Sequence, residues 1–313
     1  MVTTLRWIIG IVAVAPALFW AALTFYEGKW WVENLVSYPS LFFATYIILV
    51  VVLATMRQWA YTLVSFVFAC AFWLLSPVSV QKLTEDCANP ISIGQFNLLY
   101  ENKNINQALS YLHNASLDLI VLQEVSPEFG ERLTSLDDIY PYQYGGQEGV
   151  GYPSGQMILS RTELRNMSVF FTSDHQAIIR GIWRPNKQQS FVLITAHPPS
   201  PRTSQLWQRR NHLIEEIEAL TIQYPSDEVL IVGDFNLSAT SLRFARLFPS
   251  FQTAPVASWP NWVNRFKTPA QFMIAIDHLW LKSTEAGRRI CSRKSDVYPN
   301  GSDHRLVVTN IGY

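Results

Sequence analysis

The sequence predicts two packed β-sheets covered by helices, preceded by a bundle of three membrane-spanning helices. Three observations carry this reading. The N-terminal part holds three long stretches without charge, the remainder alternates many short apolar runs with only two clear helical periods, and five of those runs are bordered by a carboxylate, amide or imidazole.

No charged residue occurs from Trp7 to Tyr26, from Leu35 to Met56, or from Gln58 to Gln81. A bilayer core needs roughly 20 apolar residues in a helix, so each stretch can span it, and helices are expected over about 7–26, 37–56 and 59–80. A cleavable signal peptide accounts for the first stretch but not for two more behind it. Two spans plus one re-entrant or interfacial segment is the competing arrangement. Pro16 is tolerable in a spanning helix, and the second and third spans would form a hairpin turning at Arg57 and Gln58.

Arg6 and Arg57 flank the membrane on one side, while the Glu27 to Glu33 loop, with Lys29, lies on the other. The positive-inside rule puts the two arginines in the cytoplasm. Three spans then carry everything after about Val80 outside it, periplasmic if the membrane is a bacterial inner membrane. Trp30 and Trp31 suit an interfacial aromatic belt. The chain thus divides into a transmembrane region, 1–82, and a second domain, 83–313.

Cysteine usage bears on the same question. Cys70 lies inside the third apolar stretch and reads as a small buried hydrophobe. Cys87 precedes the first strand of the second domain and Cys291 lies in a strand-like stretch near its end. Two cysteines in an exported domain can pair, and two free thiols are equally compatible with the sequence.

From the linker at Leu83 to Pro90 onward, strands are expected at Ile91–Asn97, Leu119–Glu124, Gln156–Ser160, Ala177–Trp183, Phe191–His197, Glu228–Val232 and Leu306–Ile311. Ile105, Ala108, Leu109 and Leu112 recur at helical spacing, and a second helix runs from Ser204 to Tyr224, where Pro225 stops it. Its stripe is Leu206, Leu213, Ile217 and Leu220. Phe248 to Phe272 is rich in proline and aromatics without a period and reads as a long structured loop.

The polar ends of these strands form an ordered set: Phe96-Asn97, Leu122-Gln123-Glu124, Met157 to Arg161, His197, Gly233-Asp234-Phe235-Asn236, Ile276-Asp277-His278 and Ser302-Asp303-His304. In order and spacing it resembles the endonuclease/exonuclease/phosphatase superfamily, of the deoxyribonuclease I type, over nearly all of Cys87 to Tyr313, and in particular a bacterial membrane-anchored branch. The resemblance implies a four-layer α/β sandwich, two mixed sheets between helices, and metal-assisted hydrolysis of a phosphate ester.

It also implies roles. Glu124 is the principal metal ligand, with Asn97 assisting at metal or phosphate and Asp303 as a metal-site or water-positioning carboxylate. Asp234 orients or deprotonates the attacking water, and Asn236 holds that water or a phosphoryl oxygen. His304, oriented and charged by Asp277, stabilises the phosphorus centre, and His197 contacts phosphate. Hard oxygen donors without cysteine suit Mg²⁺ or Mn²⁺ better than zinc. Adjacent side chains on a strand face opposite ways, so His278 is read as structural, and Ala275 stands where the family usually has a basic residue.

The expected function is therefore a membrane-anchored, divalent-metal-dependent phosphoesterase that hydrolyses a phosphodiester by attack of water. Its partners are a phosphate-ester substrate, lipid or nucleic acid, and the bilayer itself; no protein partner is inferred. The alternatives are a nuclease acting outside the cytoplasm and an inactive scaffold that keeps the fold. Charges balance at 24 acidic and 24 basic residues, which disfavours tight duplex binding. Basic clusters at Arg202, Arg209 and Arg210, and at Arg288, Arg289, Arg293 and Lys294, are candidates for either phosphate contacts or a solvated face.

Overall fold

The structure, a computed structural model, describes residues 2–26, 28–76, 79–83, 86–261 and 268–313. The end of the third expected span, part of the Leu83 to Pro90 linker and the middle of the Phe248 to Phe272 loop fall partly outside the described residues.

The N-terminal part is helical: α1 (Val2–Thr24), α2 (Trp30–Val36), α3 (Pro39–Thr55) and α4 (Trp59–Leu75). Pro16 lies inside α1, and the following amide, that of Ala17, donates to the Tyr46 hydroxyl on α3 at 2.9 Å. A neighbouring helix thus satisfies a backbone group beside a proline, as apolar surroundings require. Phe42 and Tyr46 of α3 stack on Phe72 of α4 at 5.2 and 5.7 Å. Among the described helices α1 is long and apolar enough to cross a membrane, and α2 with α3, bent by 61°, forms a second candidate. The 17-residue α4 is shorter than the expected 59–80. The loop expected from Glu27 to Glu33 is instead partly the helix α2, which the lack of an apolar period over seven residues concealed.

After these helices come two mixed sheets. The first contains β1 (Gln81–Leu83), β2 (Ile91–Asn97), β3 (Leu119–Gln123), β4 (Tyr142–Tyr144), β5 (Met157–Ser160), β12 (Arg289–Asp296) and β13 (Leu306–Gly312). Its order is β1-β12-β13-β2-β3-β5-β4. The second contains β6 (Leu164–Phe171), β7 (Ala177–Trp183), β8 (Phe191–Ala196), β9 (Val229–Asp234), β10 (Gln252–Thr253) and β11 (Asp277–Lys282), ordered β10-β11-β9-β8-β7-β6. β1 lies just ahead of the expected linker, overlapping it at Leu83, and pairs with β12.

Among the described strands only β2 with β3 and β8 with β9 run parallel, and a helix makes each crossover: α5 (Ile105–Asn114) and α7 (Ser204–Gln223). The Thr203 hydroxyl caps α7 by accepting the Leu206 amide at 3.2 Å, and Ser126 caps α6 (Pro127–Leu133) through the Phe129 amide. Such side-chain oxygens satisfy amides that the first helical turn leaves free.

Alternation along the strands separates the layers. Val121, Leu193, Leu230, Val232, Leu279 and Ile311 fill the space between the sheets. Their neighbours Ile120 and Leu122 pack outward with Leu112 of α5, and Ile194, Ile231 and Trp280 pack outward with Leu213 and Ile217 of α7. Strands buried on both faces read as continuous apolar runs, which is how they stand in the sequence. The product is the four-layer sandwich.

Cys87 and Cys291 form a disulfide with Cα atoms 5.8 Å apart, 204 residues apart in sequence. It ties the segment before β2 to β12. Closing so long a loop stabilises a fold by up to about 5 kcal/mol in the chain-entropy model. Replacing both cysteines with alanine is expected to lower the thermal midpoint in a scan of the full chain, and thiol titration of the unaltered protein should detect Cys70 alone. Two or more titratable thiols in the folded, non-reduced protein would overturn the pairing.

Candidate active site

The inner-face positions at one end of both sheets converge. Asn97 ends β2, Asp234 ends β9 and His197 follows β8, while Asp277 opens β11 directly opposite Asp234 and His304 precedes β13. Gly233 allows the close approach of β9 to β8, because a Cβ there would lie 2.1 Å from the Ala196 carbonyl oxygen. Glu124 and Asn236 both adopt left-handed backbone conformations, φ 52° and 48°. For a non-glycine residue this is uncommon and concentrates at functional sites. The turn redirects Glu124, which strand alternation would have pointed outward.

At the centre, the His304 Nδ1 lies 2.9 Å from Asp277 Oδ2 and its Nε2 lies 3.6 Å from Asp234 Oδ2. Burial alone lowers an imidazole, but here the carboxylates of Asp277 and Asp234 outweigh it and hold the His304 pKa up, to about 10. Burial also works to raise Asp277, yet the His304 cation brings it below the ordinary carboxylate range. Asp234 is pushed up to about 6, first by burial, against the opposing pull of His304 and His197. The arrangement is a buried ion pair beside a carboxylate poised to take a proton near neutrality.

The Asn97 amide nitrogen donates to Glu124 Oε1 at 2.9 Å and to Asp234 Oδ2 at 3.0 Å, while its oxygen accepts the Leu99 amide at 3.0 Å. Asn97 thus turns a donor to the site, and contributing a ligand oxygen would require the flipped side chain. His197 Nε2 stands 3.9 Å from Glu124 Oε1 and 3.6 Å from Asp234 Oδ2. The Asp234 carboxylate is fixed by the Asn236 amide, and the Asn236 side chain donates to the Pro198 carbonyl at 3.0 Å. Asp303 accepts from the Trp259 indole at 2.9 Å and lies at the edge of the group.

The structure therefore brings Asn97, Glu124, His197, Asp234, Asn236, Asp277 and His304 together. His278 is buried on the opposite face of β11, where its Nε2 lies 2.7 Å from the Leu237 carbonyl and its ring packs on Phe244 and Trp280. Burial lowers its pKa to about 3, so it stays neutral.

Ligand atoms of Asp234, Asp277 and His304 lie within 4.8 Å of one another. As a metal site this triad fits poorly, because a cationic His304 carries a proton on each ring nitrogen, one of them shared with Asp277, and keeps no lone pair. The oxygens that fit a hard cation are those of Glu124 and Asp234, two carboxylates converging on one amide nitrogen. Such convergence is unfavourable without positive charge between or beside them.

Several contributors escaped the sequence reading. Gln95 donates to Asp277 Oδ1 at 2.6 Å, and the fully buried Arg293 donates to the Asp277 carbonyl at 2.8 Å. Gln95 was findable, because it lies two residues before Asn97 and shares its face. Arg210, 1 % exposed, pairs with Glu33 of α2 at 2.6 Å and donates to the Asn236 carbonyl at 3.0 Å. Of the clusters read as possible phosphate contacts or a solvated face, Arg210, Arg288 and Arg293 are neither.

A sequence profile of the Endonuclease/Exonuclease/phosphatase family matches residues 94–304. The chain belongs to that family. No curated protein matches it. The solved structures it is similar to include a humanized D. rerio TDP2, at 18% identity and TM-score 0.58, covering 72% of this chain and 100% of that one. They also include sphingomyelinase C from Streptomyces griseocarneus, at 15% and 0.51, covering 71% and 99%. A third is an endonuclease/exonuclease/phosphatase from Beutenbergia cavernae, at 13% and 0.54, covering 72% of each chain. These likenesses establish the sandwich, and the family is one of metal-dependent phosphoester hydrolases.

Breaking a buried ion pair by truncating one partner costs about 3 to 5 kcal/mol, whereas replacing both partners with apolar residues is often neutral. Glu33→Leu alone is expected to destabilise the full chain by that amount in chemical denaturation, and Glu33→Leu with Arg210→Met to recover most of the loss. Equal losses in the single and double variants would show that the two side chains are not coupled.

Proposed function

We propose that the chain is a membrane-anchored, divalent-metal-dependent phosphodiesterase whose sandwich domain works outside the cytoplasm. The observation that carries the chemistry is the Asp277–His304–Asp234 line of contacts beside Glu124 and Asn97. Asp234 takes the proton of the attacking water, and its raised pKa suits a base working near neutral pH. Asn236 and Asp303 position that water. His304, kept cationic by Asp277, faces the charge that builds on the phosphoryl oxygens, and His197 and Asn97 hold those oxygens with N–H donors. Glu124, with Asp234 beside it, would hold Mg²⁺ or Mn²⁺, which as a Lewis acid polarises the phosphoryl group and favours hydroxide. Asp303 and a flipped Asn97 are the further candidate ligands.

Anchoring is supported by the surfaces of the N-terminal helices. Trp7, Ile11, Leu18, Leu63 and Leu74 stand more than half exposed on α1 and α4, where a core helix of a water-soluble protein would bury them. The Tyr61 hydroxyl bonds the Arg6 carbonyl at 3.0 Å, which joins the Arg6 end of α1 to the Arg57 turn. The sandwich docks at the opposite end. Positive residues on one side and the domain on the other fit an extracytoplasmic site, and the disulfide suits that compartment.

Asp234→Ala and His304→Ala are each expected to reduce phosphodiester hydrolysis by at least about a hundredfold in a folded protein. His278→Ala should spare turnover while lowering stability. Comparable loss of kcat from His278→Ala would refute the strand-face assignment. Chelator should abolish activity and Mg²⁺ or Mn²⁺ restore it, with Glu124→Gln weakening the rescue; undiminished turnover by metal-free protein would remove the mechanism.

A further inference from the structure

The ends of the N-terminal helices tie to loops that leave or wall the site. The Asn34 side chain of α2 donates to the Pro201 carbonyl at 2.8 Å, in the segment leaving His197. Thr240, in the segment leaving Asn236, donates to the Ser37 carbonyl at 3.1 Å. Tyr38, between α2 and α3, packs its ring edge-on to Trp259 at 6.3 Å, and Trp259 in turn lies 6.5 Å from the His304 ring and bonds Asp303. Beyond α4 the Ser76 hydroxyl donates to the Gln271 carbonyl at 2.7 Å, in the same wall.

Depth follows from these contacts. Helix α3 begins at Pro39, immediately after Tyr38, and its apolar run marks the hydrocarbon border. The headgroup layer beyond that border is roughly 5 to 8 Å thick on each side of a bilayer. His304 lies two ring contacts from Tyr38, at 6.3 and 6.5 Å, so the reacting centre is within two ring spacings of that border and in reach of a lipid headgroup.

Charge points the same way. A polynucleotide substrate needs a row of free Lys and Arg to meet its phosphates. Here Arg210 is spent on Glu33 and Asn236, Arg288 on Glu228, Arg293 on backbone carbonyls of β11, and Arg209 on Asp174. A single phosphodiester presented at fixed depth needs no such row.

We infer that the substrate is the phosphodiester headgroup of a lipid resident in the bilayer that holds the N-terminal helices. The inference rests on the phosphodiesterase reading above and adds the substrate class. Water adds to the headgroup phosphorus, the ester bond to one alcohol breaks, and that alkoxide leaves with a proton, so the lipid is split into a phosphomonoester and an alcohol.

The test uses the full chain in nanodiscs with Mg²⁺ or Mn²⁺. It compares hexadecyl para-nitrophenyl phosphate placed in the same discs with the soluble methyl para-nitrophenyl phosphate, and with a radiolabelled oligonucleotide. Apparent kcat/KM for the amphiphile is expected to exceed that for the methyl diester by about a hundredfold or more, as effective concentration and correct depth combine. Asn34→Ala with Tyr38→Ala, which loosens the docking but keeps the anchor, should lower that preference, read as the ratio of kcat/KM for the two diesters, at least about tenfold. Equal turnover of the two diesters, full preference in the loosened variant, or fastest cleavage of the oligonucleotide would each overturn the lipid assignment. Hydrolysis of none of the three would instead defeat the phosphodiesterase reading itself.

Discussion

Two fully buried carboxylates within reach of one imidazole set the terms for the rest of the fold. Asp234 and Asp277 stand directly opposite each other across β9 and β11, and desolvated like charges at that range repel strongly. The sandwich meets this with His304 between them, Gln95 on the second Asp277 oxygen, and Arg293 on the adjoining backbone. Each of these groups sits on a different strand or loop. The sheets must therefore be stacked in one register for the charges to be balanced at all.

The same arrangement explains why the chemistry gathers at one end of the molecule. Two parallel pairs, β2 with β3 and β8 with β9, bring four strand ends together, and the antiparallel partners β13 and β11 begin there. Inner-face residues at this end have no apolar partner layer above them. Polar side chains placed there meet each other across the inter-sheet space, and the backbone turns at Glu124 and Asn236 bring two more polar residues to it.

Most of this was legible in the sequence because period and chemistry coincide. The strand ends at Asn97, His197 and Asp234 carry their polar residue where the apolar run stops, and alternation alone separates Asp277 from His278. What was hidden depends on contacts between distant segments. Nothing near Arg210 indicates that Glu33, far upstream, will neutralise it, and Arg293 within a basic run gives no sign of burial. The helix α2 was missed because seven residues are too few to display a period, and its stability comes from docking rather than propensity. The Cys87–Cys291 bridge was undecided for the same reason: pairing is a property of the folded sheet, in which the segment before β2 reaches β12 across β13.

Arg210 connects these two levels. Its guanidinium is held by Glu33 from the helical region, by the adjacent Asn211 side chain, and by the Asn236 carbonyl from the loop after β9. Burial pulls its pKa down while Glu33 holds it up, and without α2 this buried cation would lose its counter-charge. A loop whose backbone carbonyl is fixed by such a cation cannot shift independently of the helix that supplies the counter-charge. The left-handed turn at Asn236 lies under that constraint. The N-terminal helices and the geometry of the candidate site are thus linked through one buried guanidinium, and the helical region contributes to the shape of the site.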